Sequence, residues 1–401
     1  MKYKTKYLSM MTFCFCTSTG VFAANIGSDL NLTLSPAAGG MGGVGYVSPQ
    51  DPVASVFGNP ATLTQLLGNT DFTFGASYLN VDAKADHDGS ITGTPFKDAS
   101  DAEHYLLPNI AVRQRLTDTL VLGAGFQVVS GLGSDFRDAN PLGQVVQLIV
   151  FGANVGLGYE LTPKTSIGAG LTLSYGLLEF GLTSNTASQE TFGGRGTLGL
   201  THDMGPIKGS LTYNSELALD FDNVVQTTPT NFGNIDLEQP RELIAGLATT
   251  PALWPNLLLE TNVIWKNWDG AKGYQDIWKD TYTLALGGQY KVNKWKLRVG
   301  YSYTTDLQKK NVGNTLAGIN SLNVPGQGVA PMSKPLVQFI QATLTQPYWQ
   351  QQISAGIGYE ITDRVNVDLH AGYAFDGDRT IAGTELDVNE FQMGAGFTWA
   401  F

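Results

Sequence analysis

Few residues in this chain combine the types and spacing that chemistry requires. Gly40-Met41-Gly42-Gly43-Val44-Gly45 spells GxGxxG, the glycine pattern that lets a pyrophosphate approach backbone amides. That use needs a strand before it, a helix after it and an acidic residue beyond. Here Pro49 and Pro52 follow, so no nucleotide site is expected. The four histidines, His87, His104, His202 and His370, are scattered without metal-ligand spacing, and no GxSxG elbow occurs. The two cysteines, Cys14 and Cys16, fall inside an N-terminal export segment, which removes thiolate chemistry from the mature chain. No cofactor, metal or enzyme activity is expected. A Ser-His-Asp set gathered across strands is the one catalytic arrangement that spacing leaves open, and His370 is its histidine to place.

The elements around these residues explain the absence. Lys2, Lys4 and Lys6 precede an apolar run from Leu8 to Cys16 and a small-residue cleavage site at Val21-Phe22-Ala23, the layout of a signal peptide over residues 1–23. Its removal takes three lysines and no acid, moving the formal charge from −11 to −14. An acidic exported chain makes a poor nucleic-acid partner, since phosphate binding needs a basic surface. Charged residues are only 15% of the chain, against roughly 25% in ordinary soluble domains. Yet no mature segment reaches the ~18 apolar residues of a membrane helix. Low charge, 48 glycines and 10% aromatics fit an all-β membrane barrel, with a soluble sandwich as the alternative.

Alternation decides between them. Phe391, Met393, Ala395, Phe397, Trp399 and Phe401 alternate with Gln392, Gly394, Gly396 and Thr398. Ile353 to Ile361 and Val365 to Phe375 repeat the pattern, which is the period of a strand with one apolar face. Fourteen such segments are read, centred near 70–82, 104–116, 119–132, 147–162, 165–184, 192–204, 206–224, 239–250, 256–268, 280–292, 295–307, 348–362, 364–378 and 384–401. Short turns alternate with long links, as in outer-membrane barrels, whose closure leaves no unpaired edge in lipid. The expectation is a 14-stranded antiparallel transmembrane β-barrel. The remaining stretch, Ser35 to Leu63, is too glycine-rich to hold a shape alone and is read as a plug within residues 24–68, the barrel being 69–401.

Ala38-Gly39-Gly40 to Gly45, followed by Asp51 to Ala61 and closing on Asn59-Pro60-Ala61, resembles the N-terminal hatch of the FadL/TodX family of hydrophobic-compound transporters. Further likenesses are Gln239-Pro240-Arg241-Glu242-Leu243, Trp265-Lys266-Asn267-Trp268, Trp278 to Tyr282 through Leu297 to Tyr301, and the closing Phe397 to Phe401. The resemblance implies a hatch that gates a barrel at Phe57, Asn59, Pro60 and Ala61. It also implies a lateral opening in the third strand, here at Ser130, Gly131, Leu132 and Gly133. Fatty-acid-binding members hold the ligand carboxylate with basic residues, and Lys279 matches one such position. The fifth strand, Tyr175 to Phe180, carries no arginine or lysine, which opens the way to neutral or aromatic ligands.

The longest link, about 308–347, contains Lys334 to Gln346, where Leu336, Val337, Phe339, Ile340 and Leu344 recur at helical spacing after Pro335. An apolar helix on an outward loop can capture hydrophobic molecules or cap the barrel mouth; Leu336, Phe339 and Ile340 are its candidate contacts. The functional expectation is passive outer-membrane uptake of hydrophobic small molecules, with long-chain fatty acids first and neutral or aromatic hydrocarbons as the alternative. A general diffusion pore and a surface adhesin or receptor are rivals from other classes. Expected partners are the ligand, outer-membrane lipid and lipopolysaccharide, with the chain a monomer.

Overall fold

The computed structural model describes residues 35–66, 68–138, 143–182, 188–324, 328–344, 350–375 and 377–401. The export segment and residues 24–34 lie outside these. Fourteen strands form the barrel: β1 (Thr70–His87), β2 (His104–Arg115), β3 (Leu120–Asp135), β4 (Gln144–Thr162), β5 (Thr165–Leu182), β6 (Gln189–Asp203) and β7 (Ile207–Asn214), then β8 (Glu242–Thr249), β9 (Leu257–Lys266), β10 (Thr281–Val292), β11 (Trp295–Thr304), β12 (Gln351–Thr362), β13 (Val365–Phe375) and β14 (Thr384–Ala400). Each pairs antiparallel with the next, and β14 returns to β1 from Asp71↔Ala400 to His87↔Thr384. The sheet is thereby closed.

Side-chain alternation is what turns these segments into a wall with two faces. On β14, Phe391, Met393, Phe397 and Trp399 are exposed outward while Glu390 and Gln392 are buried in the lumen. The turns at one end are short. Asn293 adopts φ 53° in the tight β10–β11 turn, a conformation asparagine tolerates better than most residues. Aromatics gather outside at this end, with the rings of Trp295 and Tyr359 4.4 Å apart on neighbouring strands. The apolar outer band between aromatic girdles is the surface a bilayer requires.

The segment expected as one strand over 206–224 is two elements. β7 ends at Asn214, and Leu217–Gln226 pairs with Phe232–Gln239 as a separate hairpin. Leu219, Phe221, Val224 and Ile235 are buried in the same apolar cluster as the upper lumen, so the hairpin packs into the mouth. Apolar residues beyond Asn214 continue the strand-like period, which hides the break. The helix in the long loop spans Lys334–Leu344. Val337, Phe339, Ile340 and Ala342 are fully buried, so this helix fills the mouth and does not face outward. Its apolar stripe had the right period; only tertiary packing decides which way the stripe turns.

Candidate functional site: an apolar pocket beside a break in the wall

The lower lumen is filled by residues 35–66. Their backbone lies flush against wall glycines, because any larger side chain would collide. A Cβ on Gly168 would fall 2.3 Å from the Ala61 nitrogen, and one on Gly300 would fall 1.9 Å from the Gly42 nitrogen. Glu260 on β9 accepts hydrogen bonds from the backbone N–H groups of Gly45 (2.9 Å), Val47 (3.0 Å) and Ser48 (3.0 Å). One buried carboxylate thus satisfies three amides of a run with no regular structure to do so. Arg113 Nε donates to the Leu63 carbonyl at 2.9 Å and its Nη1 to Asp71 at 2.7 Å, tying the last hatch turn to β1 and β2.

The expected gating residues sit in this packing. Asn59 caps the turn Pro60–Gln65 by accepting from Ala61 N–H (3.1 Å), and its amide donates to the Tyr46 carbonyl at 2.9 Å. Pro60 and Ala61 press on β5 at Gly168. Phe57 is only half-buried and reaches the wall at Gly125 of β3. Asp51 lies outside the strands; its carboxylate accepts from Ala54 N–H at 3.1 Å, and burial pushes its pKa up to about 6.

Above the hatch, the wall changes. The β2–β3 ladder runs only from Arg115↔Val121 to Asn109↔Gln127. On β2 the next residue upward is Pro108, which has no N–H to donate. On β3 the register with β4 slips between Val128 and Ser130, a β-bulge at Val129. Beyond it, residues 130–135 are buried on both faces, as are residues 144–150 of β4. A strand in a barrel wall shows one face to the outside, so this stretch has turned in against the lumen contents. The chain is refastened at the top, where Asp135 N–H donates to Ser100 Oγ (2.9 Å) and Asp101 N–H to the Asp135 carbonyl (2.9 Å). Ser130, Gly131, Leu132 and Gly133 therefore all lie on the part of β3 that no β2 residue pairs.

Leu132 also lines an apolar pocket, a narrow cavity of about 40 Å³ that a ligand enters only by displacing the groups around it. Leu148, Leu178, Ile235, Met332 and Ile340 form other sides of it. Among the described residues no charged side chain lines it, and the one polar-tipped residue is Tyr274, packed among Trp268 and Trp278. Of the expected helix contacts, Ile340 lines the pocket, Phe339 is buried against His87 and Phe96, and Leu336 is half-buried on the same cluster. Lys279 is not there. Its ammonium is about half exposed and lies 3.6 Å from Asp306, a rim ion pair. His370 faces the lumen beside Gly39, with no catalytic partner bonded to either ring nitrogen. Sequence reasoning missed Glu260; the available signal was an acid at an inward position of a barrel with amide-rich coil to satisfy. It also missed Ile235, hidden in the mouth hairpin, and Tyr274 and Met332, which sit in links between strands without period.

The sequence model of the outer membrane protein transport protein family (OMPP1/FadL/TodX) matches residues 16–227, more than half of the chain. The chain belongs to this family. It is an outer-membrane transport protein and not an enzyme. Among solved structures, the CymD monoaromatic hydrocarbon channel superposes with a TM-score of 0.66 at 17% identity, covering 94% of this chain and 99% of that one. The Pseudomonas putida toluene transporter TodX gives 0.64 at 18%, with coverage of 96% and 100%. A Pseudomonas aeruginosa FadL homologue gives 0.66 at 14%, with coverage of 92% and 98%. At such identities the likeness is one of fold. A search of curated proteins found no match.

Proposed function

We propose that this FadL/TodX-family barrel carries neutral hydrophobic small molecules passively across the outer membrane. The observation that supports this reading most is Leu132, which lines a pocket with no charge among its described residues, from the very stretch of β3 that β2 leaves unpaired. A hydrocarbon enters between the mouth hairpin and the helix, occupies the pocket, and leaves sideways into the bilayer. Descent into water would re-expose its surface at about 25 cal/mol per Å². Hatch and wall stay locked through Glu260, Arg113 and the wall glycines, so the seal against polar solutes persists during transport.

Long-chain fatty acids are the second reading. A carboxylate buried without a partner is costly, and the cation expected for it, Lys279, lies outside the pocket with Asp306. That weighs toward neutral ligands, as does the fold shared with the CymD monoaromatic hydrocarbon channel and the toluene transporter TodX. Cells lacking other uptake routes, given radiolabelled toluene or palmitate, separate the readings. Toluene uptake above the empty-vector rate with palmitate at background is expected. Palmitate uptake abolished by Lys279→Ala would establish the fatty-acid reading instead.

A further inference from the structure

Six consecutive strands each place one polar residue on the lumen face just above the hatch: Gln352 on β12, His370 on β13, Gln392 on β14, Ser77 on β1, Asn109 on β2 and Gln127 on β3. All are at least nine-tenths buried. Each has at least one side-chain nitrogen or oxygen that finds no hydrogen-bond partner among the described residues, and both polar atoms of Gln352, Gln392 and His370 are in that state. The six lie on neighbouring strands, with Gln352 highest, on the rung of Ala374 and Glu390. His370 and Ser77 flank Gly394 in register, where an added Cβ would lie 2.8 Å from His370 Nδ1 and 2.7 Å from Ser77 Oγ. Gln392 stands one residue pair higher, opposite Leu79. Asn109 faces Gln127 on the last rung below the wall break.

Polarity reverses directly above this arc on β1 and β2, and one inward residue later on β14, where buried Glu390 follows Gln392. On the same inward rows, Ser77 is followed by Leu79 and Val81, Asn109 by Leu107 and Tyr105, and Glu390 by Val388 and Leu386, all buried in the apolar cluster of the upper lumen. Immediately below it lies the hatch, with a Gly39 Cβ position 2.8 Å from His370 Nε2. Buried amides, a hydroxyl and an imidazole without protein partners are groups that hold water. An apolar molecule moving down the barrel must strip that water and offers no bond in exchange. We propose that this arc is a polar fence that turns hydrocarbons away from the hatch and toward the break, at whose foot Asn109 and Gln127 stand. The fence sets route and selectivity without contacting the ligand in its pocket.

This inference rests on the reading of the pocket as a site for neutral hydrophobes, and the test separates the two. Toluene bound per barrel is measured at fixed free toluene for the wild type, for Gln352→Leu/Gln392→Leu and for Gln352→Asn/Gln392→Asn. Uptake rates are measured in parallel, and the heat-dependent gel shift reports assembly. The leucine pair is expected to bind additional toluene below the pocket, its occupancy there raised about tenfold or more per group removed, and to take toluene up more slowly. The asparagine pair, still polar, is expected to behave as wild type. Should the leucine pair fail to assemble, Ser77→Ala, which removes only the hydroxyl, makes the same comparison at one position. Wild-type binding and uptake matched by the leucine pair, or by Ser77→Ala, would overturn the fence. Absence of toluene binding and uptake in the wild type would overturn the pocket reading, and the fence with it.

Discussion

Ser134 Oγ donates a hydrogen bond to the carbonyl oxygen of Thr343, fastening the inward stretch of β3 to the last turn of the helix Lys334–Leu344. The helix that closes the pocket is therefore coupled to the strand that leaves the wall. Ile340 and Leu132, one on each element, line the same cavity. A ligand that displaces the helix also loosens the edge beside which it departs.

Ser134→Ala removes that tie and leaves the Thr343 carbonyl unbonded by this partner. Its expected cost is about 1 kcal/mol of stability, with toluene leaving the pocket faster than in the wild type. Release of bound toluene followed after dilution checks the kinetic part, and thermal unfolding checks the rest.

Removing Glu260 strips the acceptor from three hatch amides at once. Glu260→Ala is expected to destabilise the seated hatch by about 2–5 kcal/mol, and Glu260→Gln, which keeps an acceptor oxygen, by less. In a planar bilayer the alanine variant should show polar conductance that the wild type lacks. A silent alanine variant would mean that the hatch is held by its contacts with wall glycines alone.

Asp51 gives the hatch a dependence on pH. Burial raises its carboxyl from the ordinary 3.8 to about 6, so below about pH 4 it is neutral seated or released and contributes nothing. Between about 4 and 6 the seated form holds a proton that the released form has lost, and stability falls as pH rises. Above 6 the full penalty is present, roughly 3 kcal/mol for a shift of this size. Asp51→Asn should flatten that slope and make the hatch more stable at neutral pH, read as hatch release or unfolding across pH 4–7.

Depth along β13 grades the cost of a charge on its outer face. Leu369 is well exposed outward midway along the strand, whereas Val367 pairs with Tyr359 near the short-turn end. Leu369→Arg should cost about 2–4 kcal/mol and Val367→Arg about 0–1. Equal effects in reversible unfolding from lipid would place the bilayer elsewhere on the barrel.

The strands were legible because a wall between lipid and lumen imposes period two on every segment, from Phe74 on β1 to Trp399 on β14. The hatch was legible for the opposite reason: Gly39 to Gly45 has no period, so an enclosure had to supply its partners. The hairpin Leu217–Gln239 was not, since apolar alternation reads alike whether a strand faces lipid or folds into the mouth. Lys279 illustrates the limit for the site. A lysine beside Trp278 is the same letter in a pocket or on a rim, and its ion pair with Asp306 depends on a contact between loops. The fence was present as single inward polar residues on six strands, but only closure of the barrel shows them to be neighbours.

The most direct test of sideways exit is the initial rate of radiolabelled toluene uptake by cells expressing the wild type or Gly131→Trp/Gly133→Trp, each confirmed as assembled by its gel shift. The unpaired stretch of β3 has room for a departing ligand only while these positions stay small. The account predicts stimulated uptake by the wild type and a fall to the empty-vector rate in the double variant. A double variant that assembles and keeps the wild-type rate would contradict exit through the wall.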